Sequence, residues 1–233
     1  MLEKIARKLI ISYVNWLYAD IFKQIEYSFE HKPPQEAVKI LVFNHDELRG
    51  RYTNSPIDAL CIDRVLVREG FSPGVWLAIN KNLIFTRRFP DSIKTFLAPG
   101  LNALQRLFVK SCANVLFIPD SGFFGSEMEK LSMQALEDRH TLCVSLWGTR
   151  SRQLEPRRGT AFMVINAIRK FGADNVVVIP VGTRWKDKRR NQVHLSFGES
   201  IRVDSARTTP DDNLAIDRLT SLCAEKIKSL CLE

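Results

Sequence analysis

Two residues of this chain, His45 and Asp58, have the types and the setting that proton transfer asks for. His45 follows Phe43-Asn44 at the end of an apolar run. The carboxyl ends of parallel strands face the crevice in which α/β proteins bind ligands. An imidazole placed there, with an unperturbed pKa of about 6.5, can take a proton from an attacking hydroxyl or amine near neutral pH. Such a base wants a carboxylate on its second ring nitrogen, to fix the tautomer and stabilise the imidazolium. Asp58 is the candidate. Asp46 and Glu47 are nearer in sequence, but side chains adjacent to His45 point at its ring only with difficulty. Asp58 has another role open to it, since Ser55-Pro56-Ile57-Asp58 reads as a helix start. Ser55 is the N-cap, Pro56 the first helical residue, and Asp58 lies three residues after the cap. The two roles are compatible, and a lone histidine such as His45 is equally a residue to be packed or solvated.

A second group follows the apolar run 141–146, where the chain reads Trp147-Gly148-Thr149-Arg150-Ser151-Arg152. Gly148 directly after a strand permits a tight turn and a close approach of ligand to backbone. The planar fork of Arg150 suits a phosphate or carboxylate. Downstream, Arg157-Arg158-Gly159-Thr160 enters a helix whose first N–H groups could add to an anion site. A basic surface loop fits the same residues.

The elements that must position these groups are legible as alternating runs. Apolar stretches at 37–43, 75–79, 114–118, 141–146, 176–181 and 192–197 predict strands. Helices are predicted over 56–68, 92–109, 124–138, 160–171 and 213–230. That alternation predicts an α/β fold, one domain with a largely parallel central sheet flanked by helices. The basic run 186–190 falls between two strands and reads as a solvated hairpin tip. Ahead of the domain at 33–233, residues 2–30 lack Gly and Pro and predict one long amphipathic helix, the segment 1–32. Its stripe holds Ile5, Leu9, Val14, Trp16, Leu17, Ile21 and Ile25, flanked by Lys4, Arg7 and Lys8 and by Tyr13, Tyr18 and Tyr27. Basic and aromatic residues beside an apolar face suit a helix lying in a membrane interface, though a helix covering its own core, or pairing with its own copy, has the same pattern.

Composition narrows the class. The 233 residues, 45% apolar and 26% charged, are enough for one sizeable core and rule out wholesale disorder. Lys and Arg outnumber Asp and Glu by 34 to 26, a net charge of +8 that suits anionic partners. Nucleic acid is the weakest of these, with no helix-turn-helix, finger or stacking pattern beside the basic runs. Five widely spaced cysteines with no C-x-x-C argue against structural zinc and a disulfide framework, and for a reducing cytoplasm. Asn15, Asp20, Lys23 and Gln24 break the N-terminal apolar run, so neither a signal peptide nor a spanning helix is expected.

Taken in order, Asn44-His45, Ser55-Pro56-Ile57-Asp58, Gly148-Thr149-Arg150-Ser151-Arg152 and Val178-Ile179-Pro180-Val181 resemble the blocks of the glycerolipid acyltransferase family, which includes the bacterial lysophosphatidic acid acyltransferases. The resemblance runs from about residue 37 to about 198. It implies that His45 deprotonates an acceptor that attacks a thioester carried by coenzyme A or acyl carrier protein, with Asp58 orienting the base. It implies no metal, no cofactor and no covalent acyl-enzyme, and a peripheral place on the inner face of the membrane. Asn44, Ser55, Gly148, Thr149, Arg150, Arg158 and Gly159 would line the substrate site, and Pro180 would shape the acyl pocket.

The chain departs from the family in three places. Its interval from His45 to Asp58 is wider than usual, and an insertion of residues 46–53 restores the pattern. Alignment on Asp58 alone would instead put Thr53 where the histidine belongs, although Phe43-Asn44-His45 ends its strand as the family requires. Trp147 replaces a glutamate, and Asp120 stands where an arginine usually helps hold the acceptor's phosphate. A reversed charge at a phosphate site favours a different acceptor, an amine for example, with Trp147 as an apolar or cation–π wall. The expectation is therefore transfer to a lysophospholipid-like hydroxyl. The alternatives are N-acyl transfer to an amine-bearing or specialised acceptor, or a degenerate member that binds acyl groups without moving them.

Overall fold

Strand β2, Val38–Phe43, is buried along its whole length, as a strand covered on both faces must be. The structure, a computed structural model, describes residues 9, 12, 16, 19–44, 57–72, 74–79, 114–118, 126–147, 156–187, 192–203 and 213–232. The elements before and after β2 are α1 (Ala19–Lys23), β1 (Ile25–Phe29), α2 (Ile57–Arg68), β3 (Gly74–Ile79) and β4 (Asn114–Ile118). They continue with α3 (Ser126–Glu137), β5 (Thr141–Ser145), α4 (Gly159–Phe171), β6 (Val176–Asp187), β7 (Gln192–Phe197) and α5 (Asn213–Leu232). The strands form one sheet in the order β1-β7-β6-β2-β5-β3-β4. From β6 to β4 every pairing is parallel. Strand β7 runs antiparallel to β6, and β1 is parallel to β7.

Side chains alternate across a pleated strand, so each strand feeds two cores. Leu41, Phe43, Trp76, Cys143, Ile179 and Val181 face α1 and α2. Ile40, Val42, Leu142, Val144 and Val178 face α3, α4 and α5. Helix α4 sends Ala161, Val164, Ile165 and Ile168 into the second core, a stripe at helical spacing, and stops at Gly172 with φ 85°. Burying a side chain such as Ile62, Leu66 or Ile165 this fully stabilises the fold by about 1.5–3 kcal/mol each. Helix α5 lies directly on β6. A Cβ on Gly182 would come within 2.7 Å of Leu230 Cβ, so only glycine lets the two backbones approach this closely.

The apolar runs became strands nearly as read, with two differences. Strand β6 continues past Val181 to Asp187, because Val181, Thr183 and Trp185 keep pointing to the α2 side and β7 keeps pairing with it. Of the long N-terminal helix expected over 2–30, most of residues 1–18 lie outside the described residues, and the described helix Ala19–Lys23 ends at Lys23. Residues Ile25, Tyr27 and Phe29 alternate with Glu26 and Ser28 and pair with β7, closing that edge of the sheet. Ile21 and Ile25 fit a helical stripe by spacing, but an open strand edge offered a ladder that the helix could not. Helices expected over 124–138, 160–171 and 213–230 are α3, α4 and α5, whereas the stretch 92–109 lies outside the described residues. No helix among the described residues is long and apolar enough to cross a membrane.

Candidate active site

Strands β2 and β5 lie side by side, with Phe43 opposite Ser145, and the Leu146 N–H donates to Phe43 O at 3.0 Å. After β2 the chain moves to α2 on one face and on to β3, beyond β5. After β5 it moves to α4 on the other face and on to β6, beyond β2. Two neighbouring strands whose connections leave in opposite directions open a crevice at their carboxyl ends. The two residue groups singled out by sequence follow these two strands. The fold thus sets the strand ends that lead into them, Phe43 and Ser145, side by side although about a hundred residues separate them.

Asp58 occupies the first turn of α2, and only 6% of its surface is exposed. A carboxylate at a helix N-terminus is favoured by the macrodipole, which stabilises its charge there. Its Oδ1 accepts a hydrogen bond from Trp185 Nε1 at 3.1 Å. Two residues earlier on β6, the Thr183 backbone is clasped from β2 by Asn44. The Asn44 amide donates to Thr183 O at 3.1 Å, and its Oδ1 accepts from Thr183 N at 2.7 Å. The amide of Asn44 is thus turned onto β6 and fixes where β2 ends. Residues i and i+2 of a strand share a face, so the end of β2 and the start of α2 are both anchored on Thr183–Trp185.

Below these anchors, on the α2 side, Phe43 and Trp76 meet edge to face at 5.3 Å and form an apolar floor. Ser145 Oγ and Thr183 Oγ1 are buried on the same side, with no hydrogen-bond partner among the described residues. Two thiols lie in the same core, Cys61 and Cys143. Burial pushes both well above the usual thiol range, the charges of Asp58 and Asp63 adding to the effect. Neither is a thiolate nucleophile at neutral pH.

Of the other residues named from sequence, four lie among the described residues. Trp147 is half-buried against the α4-side core. Arg158 sends its guanidinium to the first turns of α5, bonding Asn213 Oδ1 at 2.7 Å and pairing with Asp217 at 2.7 Å, so its charge is engaged there. Gly159 is the first residue of α4, as the helix entry required. Pro180 is buried in β6 opposite Val42. Its carbonyl accepts from Gly198 N at 2.9 Å, so its missing N–H falls just past the end of β7, where the ladder needs no donor. His45, Ser55, Asp120, Gly148, Thr149 and Arg150 lie outside the described residues. On either side of the last three, Arg157 N donates to Leu146 O at 2.8 Å.

Sequence reading missed Thr183 and Trp185, having ended that strand at residue 181. The signal was the alternation Val181, Thr183, Trp185, which continues the strand's inward face through an apparently polar stretch.

No family model matches the sequence, and no curated protein matches it. Among solved structures, the chain is similar to the crystal structure of the 1-acyl-sn-glycerophosphate (LPA) acyltransferase PlsC from Thermotoga maritima. The identity is 16% and the TM-score 0.47, over 97% of this chain and 81% of the other. A likeness of this degree says nothing of activity.

Proposed function

We propose that the protein is an acyltransferase that moves a fatty acyl group from a coenzyme A or acyl carrier protein thioester to the hydroxyl of a lysophospholipid-like acceptor. The observation that carries this reading is Asp58. It is a buried carboxylate at the carboxyl edge of a parallel sheet, on the helix that follows Asn44-His45, with one oxygen held by an indole N–H. A structural cap needs no such second partner from a strand 127 residues away. The motif order read in the sequence supplies the chemistry.

His45 accepts the acceptor's proton as its oxygen attacks the thioester carbonyl, while the Asp58 carboxylate stabilises the imidazolium. The tetrahedral intermediate collapses with cleavage of the C–S bond. The imidazolium returns the proton to the departing sulfur, so that ester and free thiol leave and His45 is neutral again. Hydrogen-bond donors on the oxyanion would each contribute about 3–4 kcal/mol to the transition state. The apolar floor of Phe43 and Trp76 suits the acyl chain, and a peripheral position on the cytoplasmic face of the membrane suits both substrates.

The test is turnover of acyl-CoA and acyl carrier thioesters against lysophospholipids, glycerol 3-phosphate and amines, with products read by mass spectrometry. An ester product that falls by about 10²–10⁴-fold in His45→Ala and in Asp58→Asn is expected. Product formation unchanged in both variants would overturn the mechanism, and exclusive acylation of amines would move the acceptor to the N-acyl class.

A further inference from the structure

Thr183 carries a hydroxyl that the fold does not use. The residue is 1% exposed, and its Oγ1 is buried with no hydrogen-bond partner among the described residues. A buried hydroxyl without a partner loses its bonds to water and gains none, so packing alone would be better served by valine, which has the same shape. The backbone of this residue is fully engaged. Its N–H donates to Asn44 Oδ1 at 2.7 Å, and its carbonyl accepts from the Asn44 amide at 3.1 Å and lies 4.0 Å from Cys231 Sγ. Branching at Cβ stiffens the side chain as well. The hydroxyl is thus held in place by contacts that leave its own proton unused.

Its place in the sheet is at the carboxyl edge. Phe43 ends β2 opposite Val181, so Thr183 stands two residues past the last pair of that ladder. With Val181 and Trp185 it points to the α2 side. Thr183 is therefore clasped by Asn44, which His45 follows in sequence, and shares a face with the indole that holds Asp58. Ser145 carries the other unpartnered hydroxyl on this side, in the row of Phe43 and Val181. It is two strands across and two rows deeper, about 10 Å and about 7 Å away, too far to meet the same atom.

Acyl transfer needs donors for the oxygen on which negative charge develops, fixed in advance and shielded from water. Backbone N–H groups often serve, but the Thr183 N–H is taken by Asn44. The donor left at this point of β6 is the hydroxyl. We infer that Thr183 is a catalytic residue whose Oγ–H donates to the thioester carbonyl oxygen as that oxygen becomes the oxyanion. When the acceptor oxygen bonds to the carbonyl carbon, the C=O π pair moves onto this oxygen and the hydrogen bond from Thr183 strengthens. When the C–S bond breaks, the pair returns to the carbonyl and the electrons of that bond leave with sulfur. The Thr183 proton stays on Oγ1 throughout. The inference deepens the transferase reading and rests on it.

The test is steady-state kinetics of Thr183→Val and Thr183→Ser in the full chain, beside thermal unfolding of both. Thr183→Val is expected to lower kcat by about 10²–10³-fold with KM within about twofold of wild type. Its thermal midpoint stays at or above that of wild type, because it buries no unpartnered hydroxyl. Thr183→Ser keeps the donor and most of kcat. The pH profile of kcat/KM in Thr183→Val matches wild type, since the hydroxyl does not touch the titrating base. Wild-type kcat in Thr183→Val overturns the inference, and so does a change in KM alone, which would make the hydroxyl a contact of bound substrate. A shifted pH profile would give the hydroxyl to His45 and Asp58 instead, and a clearly lowered midpoint would make it structural. No product from the wild type with any acceptor would sink the transferase reading and this role with it. Product that Thr183→Val forms at full rate sinks this role alone.

Discussion

Asn44 and Asp58 reach strand β6 two residues apart, and what each contributes there is separable. Replacing Asn44 by Ala leaves the N–H and C=O of Thr183 without their partner, at a cost of about 2–3 kcal/mol in unfolding free energy. A denaturant midpoint lowered with an unchanged slope would report this. Trp185→Phe keeps an aromatic side chain and removes the donor to Asp58 together with the pyrrole half of the buried indole. A hydrogen bond to a charged group contributes about 1.5–3 kcal/mol, so kcat for acyl transfer should fall by about tenfold or more with KM little changed. A Phe variant with full kcat would show that the indole N–H only packs. Asn44 was singled out in sequence as part of a motif and Trp185 was not, and neither residue's type announces a contact with its partner. Their meaning came from being brought to the same strand.

At the scale of elements, local pattern decided most of what formed. Val38–Phe43 and Asn114–Ile118 are apolar runs too short for helices, and both are strands. Helix α2 begins within a residue of where Ser55-Pro56 announced it, because proline at the first turn and a following carboxylate favour that start. Residues 25–29 went the other way. Their choice between helix and strand was made by β7, which left an edge to be covered, and no local signal outweighs a ladder of that length. The packing of α5 on β6 is equally tertiary. Gly182→Ala should force Leu230 away and destabilise by about 1–3 kcal/mol, whereas Gly70→Ala meets no neighbouring atom and costs only the strain of its positive φ. Thermal unfolding of the two variants side by side would show whether contact or conformation dominates; a larger loss at Gly70 would contradict the packing argument.

For the molecule as a whole, stability and pH are linked through Asp63. Burial raises its carboxyl above the ordinary value of 3.8, against the opposing pull of the Gly74 N–H and the Arg64 charge. The folded state therefore binds this proton more tightly than the unfolded chain does. That contribution is present below the unfolded value and is lost as pH rises through the higher folded one. Asp63→Asn keeps an acceptor for Gly74 and removes the titration, so its stability relative to wild type should increase from about pH 4 upward. Urea midpoints of the two proteins that stay parallel between pH 4 and pH 7 would refute this. Glu69 works in the opposite sense, held low by Lys32 and Tyr27, so what it adds is present above the ordinary carboxylate range and lost as pH falls through its folded value.

The sequence by itself determined the fold class, most of the strands and helices, and the two groups of residues worth attention. These follow from short-range causes: apolar periodicity, a proline at a helix start, a glycine after a strand. Only the tertiary structure decided that the strands leading into Asn44 and Trp147 are neighbours, that Asp58 is buried and bonded to Trp185, and that Arg158 is engaged by α5. It also decided that Leu9 and Trp16 face outward while Ile21 and Ile25 do not. Strand order and the far partner of a side chain depend on which distant segments win a place in one sheet. That competition is settled by the summed burial and hydrogen bonding of the whole chain, and no local stretch of it carries the answer.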